Sequence, residues 1–160
     1  MAIGLNPNPP LTLRLATQAD AAAIRDLTRA AYAKWIPVIG REPLPMTVDY
    51  DRAVRDHRFD LLFAGNRLAA LVETLDEGDH WLIENLAVHP DFQGRGYGTR
   101  MLVYAENEAA ESANIVEMWL YTNKLFAENI RFYLGHGYRI DREEPYKGGF
   151  ITHMSKRIGL

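Results

Sequence analysis

The patterned part of the chain begins at Leu11-Thr-Leu-Arg-Leu15, where apolar and polar residues alternate and predict a strand. Thr17 and Asp20 have the spacing of a capping box with Asp in place of Glu, and they open a helix carrying Ile24, Leu27, Ala31 and Trp35 at helical spacing. Gly40, Pro43 and Pro45 then break the chain, and a short helix is predicted from Thr47 to about His57. Leu61 to Ala64 and Arg67 to Leu75 read as strands joined through the turn dipeptide Gly65-Asn66, and Asp76 to Asp79 makes the next turn. A fourth strand is predicted from His80 to Val88, ending at Pro90. Past a glycine-rich turn, Met101, Leu102, Ala105 and Ala109 form the buried stripe of a helix. Ile115 to Tyr121 is an apolar strand, Asn123 is placed to cap the next helix, and Gly135 or Gly137 ends it. Arg139 to Asp141 and Phe150 to Met154 are the last strands, linked through Pro145 to Gly149. The order β-α-α-β-β-β-α-β-α-β-β predicts an α+β (α/β-type) domain with a mixed sheet over residues 11–160, behind a flexible lead-in over residues 1–10.

Composition narrows the classes of function. A length of 160 residues suits one core, and a net charge of -3 argues against a nucleic-acid partner, which calls for a basic face. The chain has no cysteine, so neither a disulfide framework nor a thiolate nucleophile or metal ligand is available. That permits a reducing compartment, and a cytoplasmic location is expected. The first ten residues have no basic start and no long apolar run, and no stretch reads as a membrane span. The five histidines show no metal spacing, so no metal site is predicted.

The candidate chemistry lies in Leu86-Ala-Val-His-Pro-Asp-Phe-Gln-Gly-Arg-Gly-Tyr-Gly-Thr99, a strand running through a glycine turn into a helix. Unpaired N–H groups at a helix start, with no side chains in the way, form an anion site. A nucleotide P-loop needs Gly-Lys-Ser/Thr, and no lysine is present here. A dinucleotide fingerprint needs Gly-x-Gly-x-x-Gly directly after a strand. Here Gly94, Gly96 and Gly98 are spaced two and two, and His89 to Gln93 separate them from the apolar run. The pattern that remains is Gln93-x-x-Gly96-x-Gly98 after Leu-Ala-Val-x-Pro.

That pattern resembles the acetyl-CoA signature of the GNAT superfamily of N-acetyltransferases, Gln/Arg-x-x-Gly-x-Gly/Ala behind a Leu-x-Val-x-Pro strand. Downstream, Asn129, Phe132-Tyr133 and Gly137-Tyr138 resemble the second motif of the family, in the same order and separation. The resemblance runs from Leu11 to the C-terminus and implies the GNAT acyltransferase fold, with acetyl-CoA as co-substrate and no metal.

The resemblance also distributes roles. The diphosphate meets the amides of Gly94, Arg95, Gly96, Tyr97, Gly98 and Thr99, with Gln93 pointing toward it and Arg95 adding charge. A tight strand-to-helix turn is the plain alternative for these glycines. A carboxylate on the preceding strand takes a proton from the amine, which titrates near 10.4 and has no free lone pair at neutral pH. Glu84 occupies that strand, sharing a face with Leu82 and Leu86, and Glu73 on the neighbouring strand is the second candidate. For Glu84 the alternative is a solvated or salt-bridged strand residue. Leu86, Ala87 and Val88 lie where relatives bulge and offer amides to the carbonyl oxygen and the pantetheine arm. Tyr133 matches the tyrosine that protonates the leaving thiolate, and Asn129, four residues earlier on the same helical face, matches the contact to pantetheine. Core packing is the alternative for Tyr133. Asp76, Glu77 and Asp79 sit in a turn, solvated or forming an acidic rim.

Two functions follow as expectations. One is acetyl transfer from acetyl-CoA to a primary amine by direct attack; the other is a non-catalytic acyl-CoA sensor or partner-binding module of the same fold. The acceptor, a small-molecule amine or an amine on a peptide, is expected between Trp35–Tyr50 and Pro145–Gly149, with Trp35, Tyr50, Trp81 and Tyr146 as wall or packing residues. A homodimer is an open possibility, with no membrane or nucleic-acid partner.

Overall fold

A computed structural model describes residues 9–159. Along the chain it contains β1 (Leu11–Leu15), α1 (Ala21–Tyr32), α2 (Ile36–Ile39), α3 (Tyr50–Asp56), β2 (Arg58–Ala64), β3 (Arg67–Asp76) and β4 (His80–Val88). These are followed by α4 (Tyr97–Glu111), β5 (Glu117–Asn123), α5 (Ala127–Gly135), β6 (Arg139–Tyr146) and β7 (Gly149–Arg157). One seven-stranded sheet has the order β1-β2-β3-β4-β5-β7-β6. Only β4 and β5 are parallel, with α4 as the crossover between them; the other neighbours are antiparallel. The mixed-sheet α+β expectation therefore holds. Residues 1–8 of the expected lead-in lie outside the described residues, and Pro10 accepts the Gly65 N–H at 2.9 Å.

Apolar side chains leave the central sheet on both faces. Ala70, Val72 and Ile83 pack with Met101, Leu102 and Ala105 of α4, while Leu61, Leu71 and Ala87 pack with Ile24 and Leu27 of α1. This two-sided burial explains why β3 reads as a nearly unbroken apolar run. No described helix is long and apolar enough to cross a membrane.

Local signals misplace several boundaries. Trp35 is buried as expected, yet it sits in a 3-10 turn beyond α1, and a further short helix, α2, precedes Gly40. Asn123 does not cap α5: its side chain accepts from Leu125 N–H, and Phe126 occupies the N-cap. Strands β6 and β7 run well beyond their apolar cores, because β6 is an exposed edge strand whose Arg142, Glu143 and Glu144 join the ladder without leaving an apolar pattern.

Asp20 fixes the entry to α1. Its carboxylate accepts from the Arg14 guanidinium at 2.8 and 2.9 Å and from Thr17 N–H at 2.7 Å. The Arg14 hydrogen bond, reinforced by Thr17, lowers its pKa from 3.8 to about 2. A depressed carboxyl contributes stability that is present above its unfolded pKa and lost as the pH falls through its folded one. Asp20→Asn is expected to cost about 1 kcal/mol at neutral pH. Urea unfolding of parent and variant should show this gap narrowing as the pH falls from 3.8 toward about 2.

Candidate active site

After β4 the chain makes a 3-10 turn at Pro90–Phe92 and then reaches Gly94 and Gly96, whose φ angles are +79° and +80°. An added Cβ would meet nothing within 4 Å at either position, so the left-handed backbone, rather than lack of room, calls for glycine there. Gly98 differs: it is helical, and a Cβ would make ordinary contact with Phe132 and Val88 at 3.6 and 3.7 Å. Gly96 is the N-cap of α4, and Arg100 N–H to Gly96 C=O, at 3.0 Å, closes the first helical turn. The N–H groups of Tyr97, Gly98 and Thr99 therefore have no carbonyl of their own helix to bond. They open on a shallow depression lined by Gln93, Gly94, Gly96, Tyr97, Gly98 and Thr99. The Gln93 amide donates to Val88 C=O at 3.3 Å, and Thr99 Oγ1 lies 3.0 Å from His136 Nε2. Arg95 lies over the Phe92 ring at 5.2 Å and lines none of the described cavities.

The depression continues into a groove made by a failure of strand pairing. β4 and β5 pair only from His80↔Glu117 to Ile83↔Leu120; beyond that point they part. Backbone groups of Glu84 to Ala87 that face β5 are left without strand partners, and such groups need water or a ligand. The groove holds about 260 Å³ and is lined by Leu86, Ala87 and Val88 on one side and by Asn129 and Tyr133 of α5 on the other. It suits an extended polar chain that can add hydrogen bonds along β4. Tyr133 is 7% exposed and packs edge-on against Phe132 and Tyr138. Burial raises its phenol pKa, with the neighbouring Tyr32 adding to the effect, and the hydroxyl has no hydrogen-bond partner among the described residues.

A β-bulge places Glu84. The β3–β4 register runs Glu73↔Asn85 and then Thr74↔Ile83, leaving Glu84 as the extra residue. This corrects the expected shared face of Leu82, Glu84 and Leu86. The inserted residue reverses the alternation, so Leu86 and Val88 pack on the α4 side while Asn85 and Ala87 turn toward α1. Glu84 Oε1 accepts from the Tyr121 hydroxyl at 2.7 Å. Its other oxygen has no partner among the described residues.

Glu84 also lines a second cavity of about 170 Å³ that meets the groove at Tyr32, Glu84, Asn85, Tyr121 and Thr122. The far walls of this cavity come from the loop before α3, from Tyr50 at the start of α3 and from the β6–β7 hairpin, including Tyr146. Trp35 stacks on Phe126 at 4.5 Å and lines the groove instead, whereas Trp81 is buried in the core on the α4 side. Glu73 opens on the second cavity beside His57, whose Nδ1 is 2.6 Å from its Oε2. Burial raises the Glu73 carboxyl, and His57 opposes that rise. Asp76, Glu77 and Asp79 line neither cavity, and Asp79 bonds His80 at 2.7 Å, so no acidic rim forms there.

Sequence reading missed Tyr121, Tyr32, Asn85 and His57. Tyr32 donates to Asn85 Oδ1 at 3.0 Å, and Asn85 in turn donates to Thr28 at 3.2 Å, which fixes the β4 bulge against α1. The one available signal was the run of polar residues from Tyr121 to Asn123 at the end of an apolar strand.

A family model described as Acetyltransferase (GNAT) domain matches residues 58–140. The PaiA N-acetyltransferase of Thermoplasma acidophilum, solved in complex with coenzyme A, superposes with a TM-score of 0.78 at 17% identity, over 92% of this chain and 99% of that one. The ribosomal-protein-S18-alanine N-acetyltransferase of Escherichia coli gives 0.76 at 20% identity, over 94% and 96%. YncA of Salmonella typhimurium, a putative acetyltransferase solved with acetyl-CoA, gives 0.71 at 20% identity, over 93% and 94%. No curated protein sequence matches significantly.

Proposed function

The chain belongs to the GNAT acetyltransferase family, whose domain matches more than half of its length, and on that premise we propose that it transfers the acetyl group of acetyl-CoA to a primary amine by direct attack. The observation that carries this reading is the position of Glu84. A carboxylate with one unpartnered oxygen stands where the β4–β5 groove meets a second cavity, with Tyr133 on the groove wall.

The α4 N-terminus and the glycine turn offer main-chain N–H groups and a helix dipole to the diphosphate. The open edge of β4 offers hydrogen bonds to the pantetheine arm, and its fixed amides suit the oxyanion. Asn129 faces the same arm. Glu84 takes a proton from the incoming ammonium, directly or through a water. The amine lone pair then forms the C–N bond, and the thioester carbonyl becomes an oxyanion. When the C–S bond breaks, Tyr133 gives its proton to the thiolate. The second proton lost by nitrogen, as the amide forms, restores the phenol. A thiolate of pKa near 8.5 leaves more readily when it is protonated in this way.

Coenzyme A is expected to raise the melting temperature while NAD and ATP leave it unchanged, since only a ligand of the folded state stabilises it. A mixed amine panel should then release free thiol from acetyl-CoA. Stabilisation by coenzyme A without thiol release from any amine would replace the enzyme with a non-catalytic binding module, and no stabilisation would end both readings.

A further inference from the structure

We infer that the acceptor is a small monoamine on an apolar, preferably aromatic, body, which enters ammonium-first into the cavity shared with Glu84. This inference rests on the acetyl-transfer reading and adds the substrate class.

Three features of the cavity carry it. The first is size. A cavity of about 170 Å³ lies close to the roughly 150 Å³ that takes up one benzene ring. It is bounded on one side by the loop carrying Arg41, Leu44 and Val48 and on the other by Tyr146 and Ile151 of the last hairpin. That is room for one ring or its alkyl equivalent inside the walls, and a bulkier acceptor would have to extend past the rim at Leu44 and Val48.

The second is the direction of polarity. Both carboxylates of the cavity, Glu73 and Glu84, stand on the central strands, and Glu84 also opens on the groove. Tyr121 occupies one oxygen of Glu84 and His57 engages Glu73, so the unpartnered Glu84 oxygen is the acceptor for an ammonium. Around it the walls are mostly aromatic or apolar, with Tyr32, Tyr121, Phe126, Tyr146 and Ile151, and Asn85, Thr122 and Asn123 are polar residues among them. Aromatic faces hold a desolvated cation and pack an aromatic body equally well.

The third is the charge at the other end. Arg41 and Lys147 both lie over the Tyr146 ring, at 5.6 and 5.4 Å, and neither makes an ion pair among the described residues. A diamine extending from Glu84 would bring its second ammonium toward Arg41, which lines the cavity, with Lys147 on the same ring outside the lining, and the like charge disfavours it. An apolar tail meets Leu44 and Val48 there instead, both exposed at the rim.

The test compares phenethylamine, putrescine and a short alanine-led peptide amine as acceptors, reading thiol release from acetyl-CoA. Phenethylamine is expected to exceed both others in kcat/KM by about tenfold or more, and Arg41→Glu to narrow the gap to putrescine. Putrescine or the peptide matching phenethylamine, or an unchanged gap in Arg41→Glu, overturns the inference while acetyl transfer stands. Thiol release from none of the three, nor from the mixed amine panel, removes the acetyl-transfer reading itself.

Discussion

Replacing Glu84 by Gln is expected to slow acetyl transfer at pH 7 by roughly 10²–10⁴-fold, the range for removal of a general base. The size follows from the acceptor. An alkyl ammonium titrating near 10.4 leaves only about one molecule in 2,500 as free amine at pH 7. An enzyme without a base must wait for that fraction. The variant's rate should therefore climb about tenfold per pH unit toward pH 9, while the parent's dependence is shallower, so the gap closes in alkali. Gln keeps the volume of Glu and an oxygen that can still accept from Tyr121, so melting temperature and coenzyme A binding are expected to stay near parental. A parental rate and pH profile in Glu84→Gln would move the role to Glu73. That residue is less suited as it stands, being 3% exposed and already engaged by His57 at 2.6 Å.

What the sequence discloses about this site is what neighbouring residues decide among themselves. The turn from Gln93 to Gly98 is a local event: two left-handed glycines and a helix start, all within one short stretch. Asn129 and Tyr133 are likewise local, since four residues in a helix put two side chains on one face, and both line the groove. The order of the strands and the burial of Ile24, Leu27, Met101 and Leu102 follow from periodicity in the same way.

The missing parts are properties of pairing. Whether β4 holds an extra residue depends on its register with β3, and no feature of Leu82-Ile-Glu-Asn-Leu86 alone announces it. The bulge nevertheless decides that Asn85 faces α1 and Leu86 faces α4. The parting of β4 from β5 after Ile83 is equally non-local, and it makes both the groove and the Tyr121–Glu84 contact, across 37 residues of chain. The walls of the second cavity join a proline-rich loop to an edge hairpin, two segments whose periodicity carries little information.

Tyr133→Phe isolates the other half of the chemistry. The phenol hydroxyl has no hydrogen-bond partner among the described residues, and its ring packs against Phe132 and Tyr138. Removing the oxygen leaves that packing in place and strands no protein group, so stability is expected to change by less than about 1 kcal/mol. Coenzyme A affinity should also stay near parental, because the proposed diphosphate and pantetheine contacts lie on the glycine turn and β4. The rate of transfer should fall by roughly 10²-fold or more, the lower bound for a positioned acid. Burial raises the phenol pKa, so Tyr133 stays protonated across the alkaline range in which a free thiol ionises. The parent should accordingly keep its activity as the pH rises through 8.5, with no alkaline loss from this group. The deficit in the variant should shrink with acetyl thioesters of more acidic thiols, which leave without a proton. A tyrosine serving only the core predicts the reverse on both counts: an unchanged rate in Tyr133→Phe, and no dependence of the parent-to-variant ratio on the acidity of the leaving thiol.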